Sequence, residues 1–350
     1  MKPPALPNSI DSSAKPDIHS GSEMFWSQFN LLGKKNMKTS VMPSFLALCR
    51  KYIALIAAIV LVASNIAAVP LWAQSPIIAP NAKLELLARE LKFAEGPACD
   101  ADGNVYFTDQ PNDRILIWST AGKLSTFLQP SGRSNGMSFD REGNLWACAD
   151  EDNELWRITP SGEHIVVVKD YNGKRLNGPN DVWIHPNGGV YFTDPFYKRD
   201  YWKHTQSEQD AQCVYYLEPD LKNLIRVVDD MKQPNGIIGT PDGKVLYIAD
   251  IGAQKTYKYS IRPDGTLADK TLFCGLGSDG MTIDDQGNVY LTGKGVTVFD
   301  STGKQIEHIS IDAPWTANVC FGGKDRRTLF ITAVQNLFGL RMRVKGVGSP

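Results

Sequence analysis

The chain has almost no net charge. Lys and Arg number 37 against 38 Asp and Glu, a formal charge of −1 over 350 residues. Nothing in that balance points to nucleic acid. Histidine is scarce, with five residues (His19, His164, His185, His204 and His308) scattered along the chain. No H-E-x-x-H or C-x-x-C occurs, which argues against a zincin helix and a zinc finger. Covalent Ser–His catalysis is disfavoured. Cys99, Cys148, Cys213, Cys274 and Cys320 are spread widely and odd in number. They read as buried free thiols, with one disulfide left open.

Long apolar runs are also missing, except near the N-terminus. Residues 1–36 are polar and irregular and read as a disordered extension or a mis-assigned start, with Met37 or Met42 as alternative starts. Residues 37–75 read as a signal peptide or an N-terminal membrane anchor. Lys34, Lys35, Lys38, Arg50 and Lys51 precede an apolar run over 52–62, and Leu71-Trp-Ala-Gln follows. A basic region, a short apolar stretch and a small residue imply export to the periplasm with cleavage after Ala73. The competing reading keeps residues 52–73 as an inner-membrane anchor, the one case in which a membrane is a partner.

What the rest of the chain does have is a repeat. In residues 177–194, Asn177-Gly-Pro-Asn-Asp leads into a short apolar run, a Pro-Asn-Gly-Gly turn, and a second run ending on Asp194. Two β-prone runs around a glycine turn predict a hairpin. The unit recurs as Glu95-Gly-Pro-Ala to Asp109, Ser134-Asn-Gly-Met to Asp150, Pro234-Asn-Gly-Ile to Asp250, and Ser278-Asp-Gly-Met to Gly293. A degenerate sixth copy runs from Thr316 to Ala333. The spacing of roughly 40–45 residues is that of propeller blades with four strands each. The expected fold of residues 76–350 is therefore all-β, a six-bladed β-propeller. Its last blade is closed by an N-terminal strand within 83–91, which has no hairpin partner of its own.

In a propeller the first strand of each blade lines the axis. Glu95, Asn135, Asn180, Asn235 and Asp279 occupy equivalent positions at those strand starts, so they converge on one mouth of the channel. Carboxylates gathered without a neighbouring cation in those strands repel one another unless a cation sits between them. Oxygen-only donors select a hard ion, Ca2+ first, with Zn2+, Mn2+ or Mg2+ as alternatives. Asn-Gly and Asp-Gly are also ordinary turn residues, but Glu95 before Gly-Pro has no turn preference to explain it. The insertion 198–212 leaves the sheet after Asp194 and reads as a flap over the same mouth, or as a tolerated surface insertion. It carries His204, the histidine placed nearest the mouth.

Phe93-Ala-Glu-Gly-Pro, Gly173-Lys-Arg-Leu-Asn-Gly-Pro-Asn-Asp-Val, Tyr191-Phe-Thr-Asp-Pro, Gln233-Pro-Asn-Gly-Ile, Tyr247-Ile-Ala-Asp and Ser278-Asp-Gly-Met together resemble the SMP-30/gluconolactonase, or regucalcin-like, family over roughly 83–344. That resemblance implies a six-bladed propeller with one catalytic divalent metal that hydrolyses sugar lactones. It implies Glu95, Asn235 and Asp279 as metal ligands, and Asn180 as a ligand or substrate contact. It implies Asp279 as proton acceptor or donor. Asn135, Asn180, Asp194 and His204 are the expected substrate contacts. Two departures touch the sugar specificity: Gly178 stands where animal members have Arg, and residues 195–199 offer no clear match to a substrate-contacting Glu. The rival functions are an esterase, organophosphatase or other lactonase on the same site, and a non-enzymatic periplasmic binding propeller.

Overall fold

The computed structural model describes residues 75–347. The extension 1–36 lies outside these residues, as does all of the targeting segment 37–75 except Ser75. Among the described residues no helix is long and apolar enough to cross a membrane.

Six four-stranded antiparallel sheets follow one another along the chain. Blade one is Ala94–Cys99, Val105–Asp109, Arg114–Trp118 and Leu124–Leu128. Blade two is Ser134–Phe139, Leu145–Ala149, Glu154–Ile158 and His164–Val168. Blade three is Val182–Ile184, Val190–Asp194, Cys213–Leu217 and Leu224–Val228. Blade four is Pro234–Gly239, Val245–Asp250, Lys255–Ile261 and Leu267–Cys274. Blade five is Met281–Ile283, Val289–Gly293, Gly295–Phe299 and Gln305–Ile309. Blade six is Asn318–Gly322, Thr328–Ala333 and Asn336–Arg341, and Glu85–Ala88 pairs with Asn336–Arg341 as its outer strand. The expected closure therefore holds: the N-terminal strand covers an edge that would otherwise stay open.

The hairpin turns behave as their residues dictate. Asp100 accepts from the Asn104 backbone N–H (2.8 Å) and from its side-chain amide (2.8 Å), while Gly103 takes φ 90°. Asp140 and Asp284 do the same for Asn144 and Asn288. These aspartates shape turns.

Each pair of neighbouring blades shares one apolar cluster. Trp183, Tyr191 and Tyr216 of blade three pack on Ile237, Leu246 and Ile248 of blade four. Blade six closes on blade one through Phe330 and Leu337 against Val105 and Phe107. A fully buried side chain of this kind contributes about 1.5–3 kcal/mol, so six such seams make a rigid ring. Cys99, Cys148, Cys213, Cys274 and Cys320 are all free and buried in these seams, which closes the possibility of a disulfide among them.

Candidate active site

The site residues sit where the leading strands depart from regular pairing. Pairing register shifts between Glu95 and Ala98, between Ser134 and Met137, and between Pro234 and Ile237. A bulge of this type re-aims a side chain, here that of Glu95, Asn135 or Asn235. In blades three and five regular pairing starts only at Val182 and Met281, so Asn180 and Asp279 lie in the irregular entry. The aligned strand starts thus become a ring of inward-pointing oxygens.

A pocket of about 240 Å3 opens at this mouth, with Glu95, Asn135, Asn180 and Asp279 in its wall. Asn235 lies directly behind. Its Nδ2 donates to Asp279 Oδ1 and to Tyr197 Oη, both at 2.8 Å. Its Oδ1 is buried and has no hydrogen-bond partner among the described residues. Glu95 is 2% exposed, and its Oε2 accepts from Gly96 N at 2.7 Å. Burial first, and the Asp279 charge second, push its carboxyl well above the usual range. Burial also raises Asp279, against the Trp315 and Asn235 hydrogen bonds and the Arg199 charge. Trp315 Nε1 donates to Asp279 Oδ2 at 2.6 Å.

A second polar layer lies one residue deeper. Four blades place glycine there (Gly96, Gly136, Gly236, Gly280), while blades three and six place Asp181 and Asn318. A Cβ on Gly136 would run into Asp181 Oδ1, and one on Gly280 into Asn318. The glycines therefore clear the space those two side chains fill. The Asn318 amide favours the ionised form of both Glu95 and Asp181, coupling the two layers. Burial pushes Asp181 up to about 8.

Two expected contacts are not brought to the pocket. Asp194 is fully buried, and its two oxygens accept from Asn177 N (2.9 Å) and Gly178 N (2.8 Å). Its carboxylate caps the chain entering blade three. His204 stacks on Trp202 (centroids 4.6 Å, 18°), and its Nε2 is buried without a partner among the described residues. The insertion does reach the mouth, but through Arg199, beside Tyr197 just ahead of it. Sequence reasoning missed both, along with Trp315, Gln110 and Asn318. Asn318 was readable in principle, because the degenerate sixth copy still aligns Ala317-Asn318 with Asp279-Gly280. Tyr197, Arg199 and Trp315 lie outside the repeated unit and carry no such signal.

The sequence matches the family model of the SMP-30/Gluconolactonase/LRE-like region over residues 93–335. The chain belongs to this family. A relative named gluconolactonase, from Zymomonas mobilis, is 31% identical over 304 residues, covering 78% of this chain and 84% of its own length. A solved structure of a gluconolactonase from Xanthomonas campestris superposes with a TM-score of 0.71 at 30% identity, covering 76% of this chain and 91% of that one. The diisopropyl-fluorophosphatase of Loligo vulgaris is 25% identical and covers 75% of this chain and 91% of its own length. The six blades of the chain are thus those of a known propeller family.

Among the described residues no three His, Cys, Asp or Glu side chains form a metal cluster. The donor set is mixed instead: the carboxylates Glu95 and Asp279 with the amide oxygens of Asn180 and Asn235. The unpartnered Asn235 Oδ1 and two mutually repelling carboxylates fit an oxygen-ligated divalent cation.

Proposed function

We propose that this chain hydrolyses a sugar lactone with one divalent cation held by Glu95, Asn180, Asn235 and Asp279. The observation that carries the reading is the orphaned Asn235 Oδ1 beside the Glu95–Asp279 pair. The resemblance to a named gluconolactonase over most of both chains supports the substrate class. Calcium heads the order of candidate ions because all donors are oxygens.

A cation so held would act as a Lewis acid on the lactone carbonyl. The remaining work falls to the chain. Asp279 accepts a proton from the attacking water, whose oxygen bonds to the carbonyl carbon. It returns that proton to the ring oxygen as the ring C–O bond breaks, leaving a hydroxy acid. Trp315 holds Asp279 Oδ2, and the Asn235 amide holds Oδ1, so the base has one orientation. Asn135 and Asn180 offer amide groups to the substrate from the pocket wall.

The test is acid release from D-glucono-1,5-lactone by protein beginning at Gln74, after chelation and after adding back calcium, zinc, manganese or magnesium. Turnover should return with metal. It should fall about 10²- to 10⁴-fold in Glu95→Gln and in Asp279→Asn. Full turnover in Asp279→Asn would remove the scheme. A phosphotriester reading draws on the diisopropyl-fluorophosphatase relative and on the Tyr197 and Trp315 walls. A higher kcat/KM on a fluorophosphate than on any lactone would favour it. The proposal includes export, on the strength of the basic-then-apolar run before Ala73. Cell fractionation that finds the full-length chain in the cytosol would refute that part.

A further inference from the structure

The basic side chain that lines the pocket is Arg199, which arrives from the insertion after blade three. It is held from behind. Its Nε donates to Asp150 Oδ2 at 2.8 Å, and its guanidinium lies over the Tyr197 ring at 5.1 Å from the centroid. That bond uses Nε and leaves the Nη edge, which no hydrogen bond among the described residues engages. Asp150 is itself 2% exposed and binds chiefly to the insertion. The same Oδ2 accepts from Tyr201 Oη and from Gln110 Nε2, and its backbone oxygen accepts from Trp202 Nε1 at 2.6 Å. Gly178 (φ 147°) completes the latch. A Cβ there would stand 2.9 Å from the Trp202 ring and 3.0 Å from Asp150 Oδ1.

Asp150 already balances the Arg199 charge, so the pocket does not need a second anion at this place. A planar guanidinium edge with free N–H donors matches two adjacent oxygens. The Asn135 and Asn180 amides share the same pocket wall. The aromatic faces of Tyr197 and Trp315 suit the C–H side of a ring whose hydroxyls point to these donors.

We propose that Arg199 is the specificity-determining residue of this pocket, reading the vicinal hydroxyls of a polyhydroxylated lactone, and that Asp150 positions it. This rests on the lactonase reading of the site. The test compares D-glucono-1,5-lactone with δ-valerolactone, the same six-membered ring without hydroxyls. In Arg199→Gln, the kcat/KM ratio of the first to the second should fall about ten- to a hundredfold, mostly through KM, as loss of a charged hydrogen-bond donor implies. Arg199→Lys keeps the charge but not the fork, and should fall part of the way. It carries the test should Arg199→Gln fail to fold. A ratio within twofold of the unaltered enzyme in either folded variant overturns the proposal. Calorimetric binding of D-gluconate, against 5-hydroxyvalerate, separates the two readings. No turnover of either lactone, with gluconate binding weakened at least tenfold in the variant, would sink the hydrolase reading and uphold this one. Gluconate binding that the variant leaves as it was would sink this one.

Discussion

Three blades end their second strand on an equivalent aspartate (Asp109, Asp194 and Asp250), while blade two has Ala149 at that place and Asp150 one residue later, and Asp150 does a different job. Asp109 accepts from Lys92 N and Phe93 N, Asp194 from Asn177 N and Gly178 N, and Asp250 from Lys232 N and Gln233 N. Each pins the chain that enters its own blade. Asp150 accepts instead from side chains of the insertion and of blade one. The reason lies in its one-residue offset, since Ala149 holds the equivalent place, and in a neighbour. Asp113, in the blade-one loop, takes over the incoming chain of blade two, accepting from Ser131 N (2.9 Å) and Arg133 N (2.8 Å). With that task covered, Asp150 is free to grip another loop. A one-residue offset in a repeat therefore changes an aspartate's role, because it changes which backbone donors lie within its reach.

The strongest way to break this comparison is to remove both kinds of aspartate. Asp194→Ala leaves two buried backbone N–H groups without partners and should cost about 2–4 kcal/mol of stability, read from a urea titration at pH 7. Asp150→Ala should cost less in the same titration. It should raise KM for the polyhydroxylated lactone about tenfold, because Arg199 loses its anchor. Equal stability losses in the two variants would erase the distinction.

A pH titration of stability sharpens it further. Burial raises Asp194 to about 7 and Asp181 to about 8, against an unfolded value of about 3.9. Between these values the folded chain binds more protons than the unfolded one. Their contribution to stability is therefore fully present below about pH 4 and is lost as pH rises through 7 to 8. With chelator present, the melting midpoint should fall across that window. Calcium should reduce the fall by offsetting the Glu95 and Asp279 charges, and Asp194→Asn should flatten the slope by one proton. The smallest effect is expected at Trp315. Trp315→Phe removes a hydrogen bond that favours ionised Asp279. It should move the acid limb of the pH–rate profile upward and lower kcat about threefold to tenfold below that limb.

The blades were legible because their signal is local and repeated. A glycine turn between two β-prone runs predicts a hairpin wherever it stands, and six copies at one spacing leave few ways to arrange them. Glu95, Asn235 and Asp279 were legible for the same reason, as equivalent positions in a ring must meet at its axis. Asp194 misled because an aspartate at a strand end looks the same whether its oxygens face a pocket or a backbone. His204 misled because an insertion's length does not say which of its side chains turns inward. The structure turns Tyr197 and Arg199 inward and stacks His204 on Trp202.

Sequence alone therefore determined the propeller, the closing strand and the ring of oxygens at one mouth, since each follows from local pattern and from the geometry of repetition. Tertiary structure decided what faces that ring. Arg199, Tyr197 and Trp315 come from segments with no repeat to align them. Their places follow from contacts between blades: one carboxylate left free by Asp113, one glycine that admits Trp202, and one indole N–H within reach of Asp279.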